Sequence, residues 1–137
     1  KMMQFALESL SNNSPNTQLV AVTILTSLDD SDLKVMGVNS STKNLVTSLA
    51  QLTKKTGLSG VVCSSEEIKL VRETCGKNFK IIVPGIRPEG ADKNDQKRIM
   101  TPKEAISLGA DYLVIGRPIT ESKDPKNTVI KIVNSIK

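Results

Sequence analysis

Two kinds of hydrophobic pattern alternate along the chain. Four short runs carry β-branched residues without polar alternation: LVAVTIL (19 to 25), GVVC (60 to 63), KIIV (80 to 83) and YLVI (112 to 115). Continuous apolar runs of this length predict strands covered on both faces, as in a parallel sheet. Between them apolar residues recur three and four positions apart, which predicts helices, and the helix ends are signposted. Ser64 and Glu67 have capping-box spacing, and Gly76 closes a helix lined by Ile68, Val71 and Cys75. Thr101-Pro102-Lys103-Glu104 places a cap, a proline at the first helical position and a glutamate three residues after the cap, with Gly109 at the far end. Asp124-Pro125 opens a last helix by the same logic, with Val129, Ile130, Val133 and Ile136 predicted to face inward. Leu45, Leu49 and Leu52 form a stripe that Gly57 ends, behind a shorter polar helix near Asp29 to Met36. The opening KMMQFALESL has helical spacing through Met2, Phe5, Ala6 and Leu10 but no start signal ahead of it.

Strand and helix in alternation with short connections means right-handed βαβ units and a parallel sheet. Two closures are open, a doubly wound sheet or part of a (β/α)8 barrel. Four strands make half of a barrel, whose usual length is about 250 residues. The uncapped first helix is then expected in a chain, 1–137, that is the C-terminal half of a single TIM-barrel domain with the N-terminal half absent.

Composition narrows the chemistry. The 137 residues are 38% apolar and 24% charged, the balance of an ordinary globular chain. No run of about 18 apolar residues is present to cross a membrane. The net charge of +5 is spread over many helix faces, and the aromatic residues are one tyrosine and two phenylalanines. A nucleic-acid surface needs a clustered basic stripe and, for single strands, stacking rings, so no nucleic-acid partner is expected. Histidine is absent, which removes imidazole metal ligands and His-dependent triads. Cys63 and Cys75 lack metal-site or C-x-x-C spacing and read as two buried, reduced thiols of a cytoplasmic protein.

Ligands of parallel α/β folds meet the carboxyl ends of the strands. Thr26 and Ser27 follow the first run, Ser64 and Ser65 the second, Pro84, Gly85 and Arg87 the third, and Gly116 and Arg117 the fourth. Two consecutive strands therefore end in a glycine followed closely by an arginine. Glycine lets backbone amides approach an anion, and arginine offers a charged fork suited to phosphate. Alone, G-x-R or G-R is a weak pattern, more often a solvated turn than a site. Ser64 is better explained as a helix cap.

From about Leu19 onward the chain resembles the C-terminal half of the bacterial orotidine 5′-phosphate decarboxylase family, through LVAVTILTS, GLSGVVCSSEE, FKIIVPGIRPEG, DQKRIMTPKEAISLGADYLVIGRPIT and DP in the same order. The resemblance implies a (β/α)8 barrel, a homodimer, and conversion of orotidine monophosphate to uridine monophosphate without metal or organic cofactor. It implies that Arg117 and Gln96 hold the 5′-phosphate, with backbone amides of Gly116 and Arg117 as further donors. Arg87 would serve the same anionic end, Pro84 would pack near the pyrimidine, and Thr26 would hydrogen-bond the ring. Asp95 would shape the loop, because a carboxylate beside phosphate is repulsive. Residues Pro88 to Ile99 would form a lid.

The family's acid–base residues lie in a D-x-K-x-x-D segment. The nearest string here, Asp32 to Lys34, continues into Val35, Met36 and Gly37 and reads as a solvated helix face. The catalytic lysine and aspartates are therefore expected upstream of Lys1. Two alternatives stay open: a Mg²⁺-dependent 3-keto-L-gulonate 6-phosphate decarboxylase, and a non-catalytic phosphate-binding module such as a flavodoxin-like domain.

Overall fold

The computed structural model describes residues 1–88 and 100–137. Helix α1 (Met2–Asn13) leads to strand β1 (Val20–Val22), followed by α2 (Asp30–Val35) and α3 (Thr42–Thr56). Strand β2 (Gly60–Val62) passes through a 3₁₀ turn, Ser65–Glu67, into α4 (Ile68–Cys75) and β3 (Lys80–Val83). The rest is α5 (Pro102–Ser107), β4 (Tyr112–Leu113), α6 (Arg117–Thr120) and α7 (Pro125–Ser135). All neighbouring strands pair in parallel, in the order β1-β2-β3-β4. Sequential order without reversal is that of a barrel wall, since a doubly wound sheet reverses direction at its switch point.

The strands are shorter than the apolar runs 19–25, 60–63 and 112–115, whereas 80–83 coincides with β3. At the tips Ile24 and Ile115 still pack against the core after ladder pairing has ended. Apolar runs report burial, and burial outlasts the hydrogen bonds. Thr23 shows the transition, its amide and hydroxyl both donating to the Val62 carbonyl, at 3.1 and 2.8 Å.

One face of the sheet supplies Val61, Cys63, Ile81 and Val83 to a core completed by Val46 and Ala50 of α3, Ile68, Val71 and Cys75 of α4, and Ala105 of α5. Both cysteines are buried and free, as expected. The opposite face carries the row Val22, Val62, Ile82, Tyr112 across all four strands. That face is open: Val22 is 62% exposed, Tyr112 53% and Val114 52%. Between the strands, Gly60 pairs with Lys80, and a Cβ at Gly60 would stand 2.2 Å from the Lys80 carbonyl oxygen, so only glycine permits this approach.

Two helix faces differ from the sequence expectation. On α7, Ile132 is the buried residue, while Val129, Ile130, Val133 and Ile136 are exposed. Among the described elements α7 packs chiefly on α6 and α5, and nothing covers its broader apolar side. On α3 the buried line is Thr42, Val46, Ala50 and Thr53, with Leu45 and Leu49 half-buried and Leu52 exposed. Small residues bring this helix close to β2, and Thr53 satisfies its hydroxyl on the Leu49 carbonyl at 2.8 Å. On α2, Asp32 closes a capping box by accepting from the Asp29 amide at 2.9 Å, so it does more than face solvent.

At the amino ends of the strands, Arg72 joins α4 to the entries of β3 and β4. Its Nη1 donates to the carbonyls of Gly76, Lys77 and Phe79 (2.9, 3.0 and 2.7 Å), and its Nη2 to the Gly109 carbonyl and Asp111 Oδ2, both at 2.6 Å.

Candidate functional site

The carboxyl tips of β3 and β4 lie side by side, fixed by the Val83–Leu113 pair and by the Val114 amide donating to the Val83 carbonyl at 2.9 Å. Beyond β3 the chain turns at Gly85, whose φ of 73° is left-handed and suits glycine. Ile86 then forms a parallel bridge with Met100, and the Arg87 amide donates to the Met100 carbonyl at 3.0 Å. The bridge gathers both ends of the intervening stretch at one point. Arg87 is buried, with Nη1 donating to the Ile86 carbonyl at 3.0 Å. Pro84 is half-buried beside it.

Beyond β4, Gly116 precedes α6 and Arg117 is its first residue, half-buried. A Cβ at Gly116 would meet nothing within 4 Å, so there is open space at this tip. Arg87 and Arg117 thus rise from adjacent strands at the same offset, four residues after Val83 and Leu113. Thr26 is buried at the tip of β1, two strands away from β3. Gln96 lies outside the described residues, with Asp95 and the stretch expected as a lid apart from Pro88.

The β2 tip holds a feature that patterning missed. Ser64, Ser65 and Glu67 are all buried, and Glu67 Oε2 accepts from the Ser64 amide at 3.1 Å and from the Ser64 hydroxyl. Cap spacing announced the hydrogen bonds but not the burial of the carboxylate. A strand-end position facing the core would have been the signal. The short helix α6 was not anticipated either, because four residues are too few for periodicity to show.

Electrostatics differ at the two ends of the sheet. At the amino end, burial alone would raise the Asp111 carboxyl, but hydrogen bonds from the Ile81 amide, Arg72 and Lys80 outweigh it and hold the group below its ordinary range. Burial pushes the Cys75 thiol up, against the opposing charges of Lys54 and Arg72. Among the described residues no group of three or more His, Cys, Asp or Glu is placed to hold a metal ion. A cleft of about 870 Å³ opens on the helical side, lined by residues including Thr101, Pro102, Lys103, Thr128 and Ile132. Helix α5 has six residues against eleven in α7 and leaves part of its neighbour uncovered.

The pattern of the orotidine 5′-phosphate decarboxylase / HUMPS family matches residues 1–132. The chain belongs to this family. An orotidine 5′-phosphate decarboxylase of Actinobacillus pleuropneumoniae (serotype 5b, strain L20) is 56% identical over 117 residues, covering 85% of this chain and 50% of that protein. One of Glaesserella parasuis is 50% identical over 137 residues, covering 98% and 58%. The chain spans about half the length of the curated relatives it matches. The crystal structure of orotidine 5′-phosphate decarboxylase from Lactobacillus acidophilus superposes with a TM-score of 0.82 at 34% identity, over 99% of this chain and 58% of that one. An uncharacterized conserved protein from Geobacillus kaustophilus gives 0.79 at 32%. Within the family fold, the four strands described here form half of the barrel wall.

Proposed function

We propose that this chain supplies the nucleotide-binding part of an orotidine 5′-phosphate decarboxylase, which releases carbon dioxide from orotidine monophosphate and leaves uridine monophosphate. The observation that carries the reading is the placement of Arg87 and Arg117 on adjacent strand tips in a chain of this family. Arg117 would grip the 5′-phosphate with its charged fork, assisted by Gln96 and by Gly116, which keeps the approach free of a side chain. Arg87 would serve the same anionic end. Thr26 stands two inter-strand steps from β3, roughly 10 Å across the sheet. That separation suits a ligand with phosphate at one end and a ring at the other, so Thr26 would bond the pyrimidine and Pro84 would pack near it.

Loss of carbon dioxide leaves a carbanion on the ring, which must receive a proton. In this reading a lysine and aspartates from the other half of the barrel deliver it, and residues 1–137 are the C-terminal half of a single domain. The chain's own residues act by binding: contacts remote from the reacting carbon organise the site and lower the barrier as well as hold the ligand. The enzyme would work as a cytoplasmic homodimer.

Hydrogen bonds to charged groups contribute about 1.5 to 3 kcal/mol, so Arg117→Ala should lower kcat/KM for orotidine monophosphate roughly ten- to a hundredfold. An unchanged value removes Arg117 from the phosphate site. Activity abolished by a chelator and restored by Mg²⁺ would favour the sugar-phosphate decarboxylase instead.

A further inference from the structure

Apolar surface is exposed in three places, and all three border the edges of the sheet. The strands pair in the order β1-β2-β3-β4, so β1 and β4 each keep an outer edge without a partner strand among the described residues. Unpaired strand edges are templates for adding further strands. The open face between them carries Val22 on β1 and Tyr112 on β4, both exposed. On the β1 side α1 leans on α3, where Thr53 Oγ1 stands 3.9 Å from Met3 Sδ, and leaves Met2 and Phe5 to solvent, Phe5 being 67% exposed. On the β4 side α7 packs on α5 and α6 and leaves Ile130 and Val133 to solvent, Ile130 being 47% exposed. Each side of the sheet thus offers the same set: a free parallel edge, an apolar face and an uncovered apolar helix.

We propose that this surface docks a second copy of the same chain, related by a twofold axis running along the strands. Such an axis keeps all the strands parallel, as they are within the chain, and pairs β4 of each copy with β1 of the other. The two open faces then meet, and α7 of one copy comes beside α1 of the other, apolar side to apolar side. Eight strands are the number at which a closed barrel is just filled by its own side chains, so the pair closes and leaves no edge for a third copy. This contact joins two half-walls and is distinct from an association of two complete barrels. It does not depend on the reaction proposed above. The net charge of +5 on each chain opposes the association, and salt should strengthen it by screening that repulsion.

Sedimentation equilibrium of residues 1–137 over a range of concentrations tests this, with ANS fluorescence per chain as the second readout. The mass is expected to rise from 14.8 kDa at high dilution to twice that value at about 100 μM, with no larger species, while the dye signal per chain falls over the same range. Higher salt should move the transition to lower concentration. Two variants locate the contact. Val22→Lys places a charge on the open face at a position that is already exposed, and Phe5→Lys does the same on α1. Each should weaken the association roughly tenfold or more, because it carries a charge into an apolar contact, and leave the urea midpoint of the dilute chain unchanged. Should Val22→Lys fail to fold, Phe5→Lys alone decides. A single-chain mass at every concentration leaves the face to a different occupant and overturns the proposal. So does growth into an open-ended series, or a dimer that a folded variant leaves intact.

Discussion

Arg72 and Asp111 show what single residues contribute away from the site. Asp111 accepts from the Ile81 amide at 2.9 Å, Arg72 at 2.6 Å and Lys80 at 3.1 Å. Its carboxyl is therefore more acidic folded than unfolded, despite the burial that works against this. Such a group stabilises the fold fully above its unfolded pKa of about 3.9, and the contribution is lost as pH falls below that value through the folded one. Urea midpoints should accordingly decline below about pH 4, and Asp111→Asn should flatten that limb of the profile while lowering the neutral-pH midpoint. At this scale the candidate site was partly legible. Arg87 and Arg117 could be found because strand ends are readable and the ligand end of a parallel sheet is known. Glu67 could not, because capping spacing looks the same whether the carboxylate faces water or the core.

Helix boundaries were the most legible elements, since they rest on local chemistry that needs no neighbours. Thr101 illustrates this: its amide and hydroxyl donate to Glu104 Oε2 at 3.0 and 2.6 Å, and its Oγ1 accepts from the Glu104 amide at 3.4 Å. Thr101→Ala should destabilise the protein by about 1 kcal/mol in urea denaturation, with Thr101→Ser restoring most of it. Helix faces were less legible. Periodicity reveals that α7 has an apolar stripe but not whether a neighbour covers it, and on α3 the bulky leucines outweighed the small Ala50 and Thr53 that are buried. Strand order survived the error in strand length, because each run still marked one crossing of the core.

Over the whole molecule, the row Val22, Val62, Ile82, Tyr112 lies on an open face of the parallel sheet. Parallel sheets are normally covered on both faces. The chain by itself should therefore enhance the fluorescence of a dye such as ANS, and a protein of the relatives' full length should not; equal signals would mean the face is already closed. Whole-molecule architecture was legible through strand order, while the state of the open face was not, since it depends on what lies opposite. The Arg72 clasp also decides where the backbone tolerates rearrangement. New termini opened at 77–79 or 108–111 in a circular permutant would separate the guanidinium from its acceptors. Termini opened near Gly37, an exposed turn between α2 and α3, would leave all of them in place.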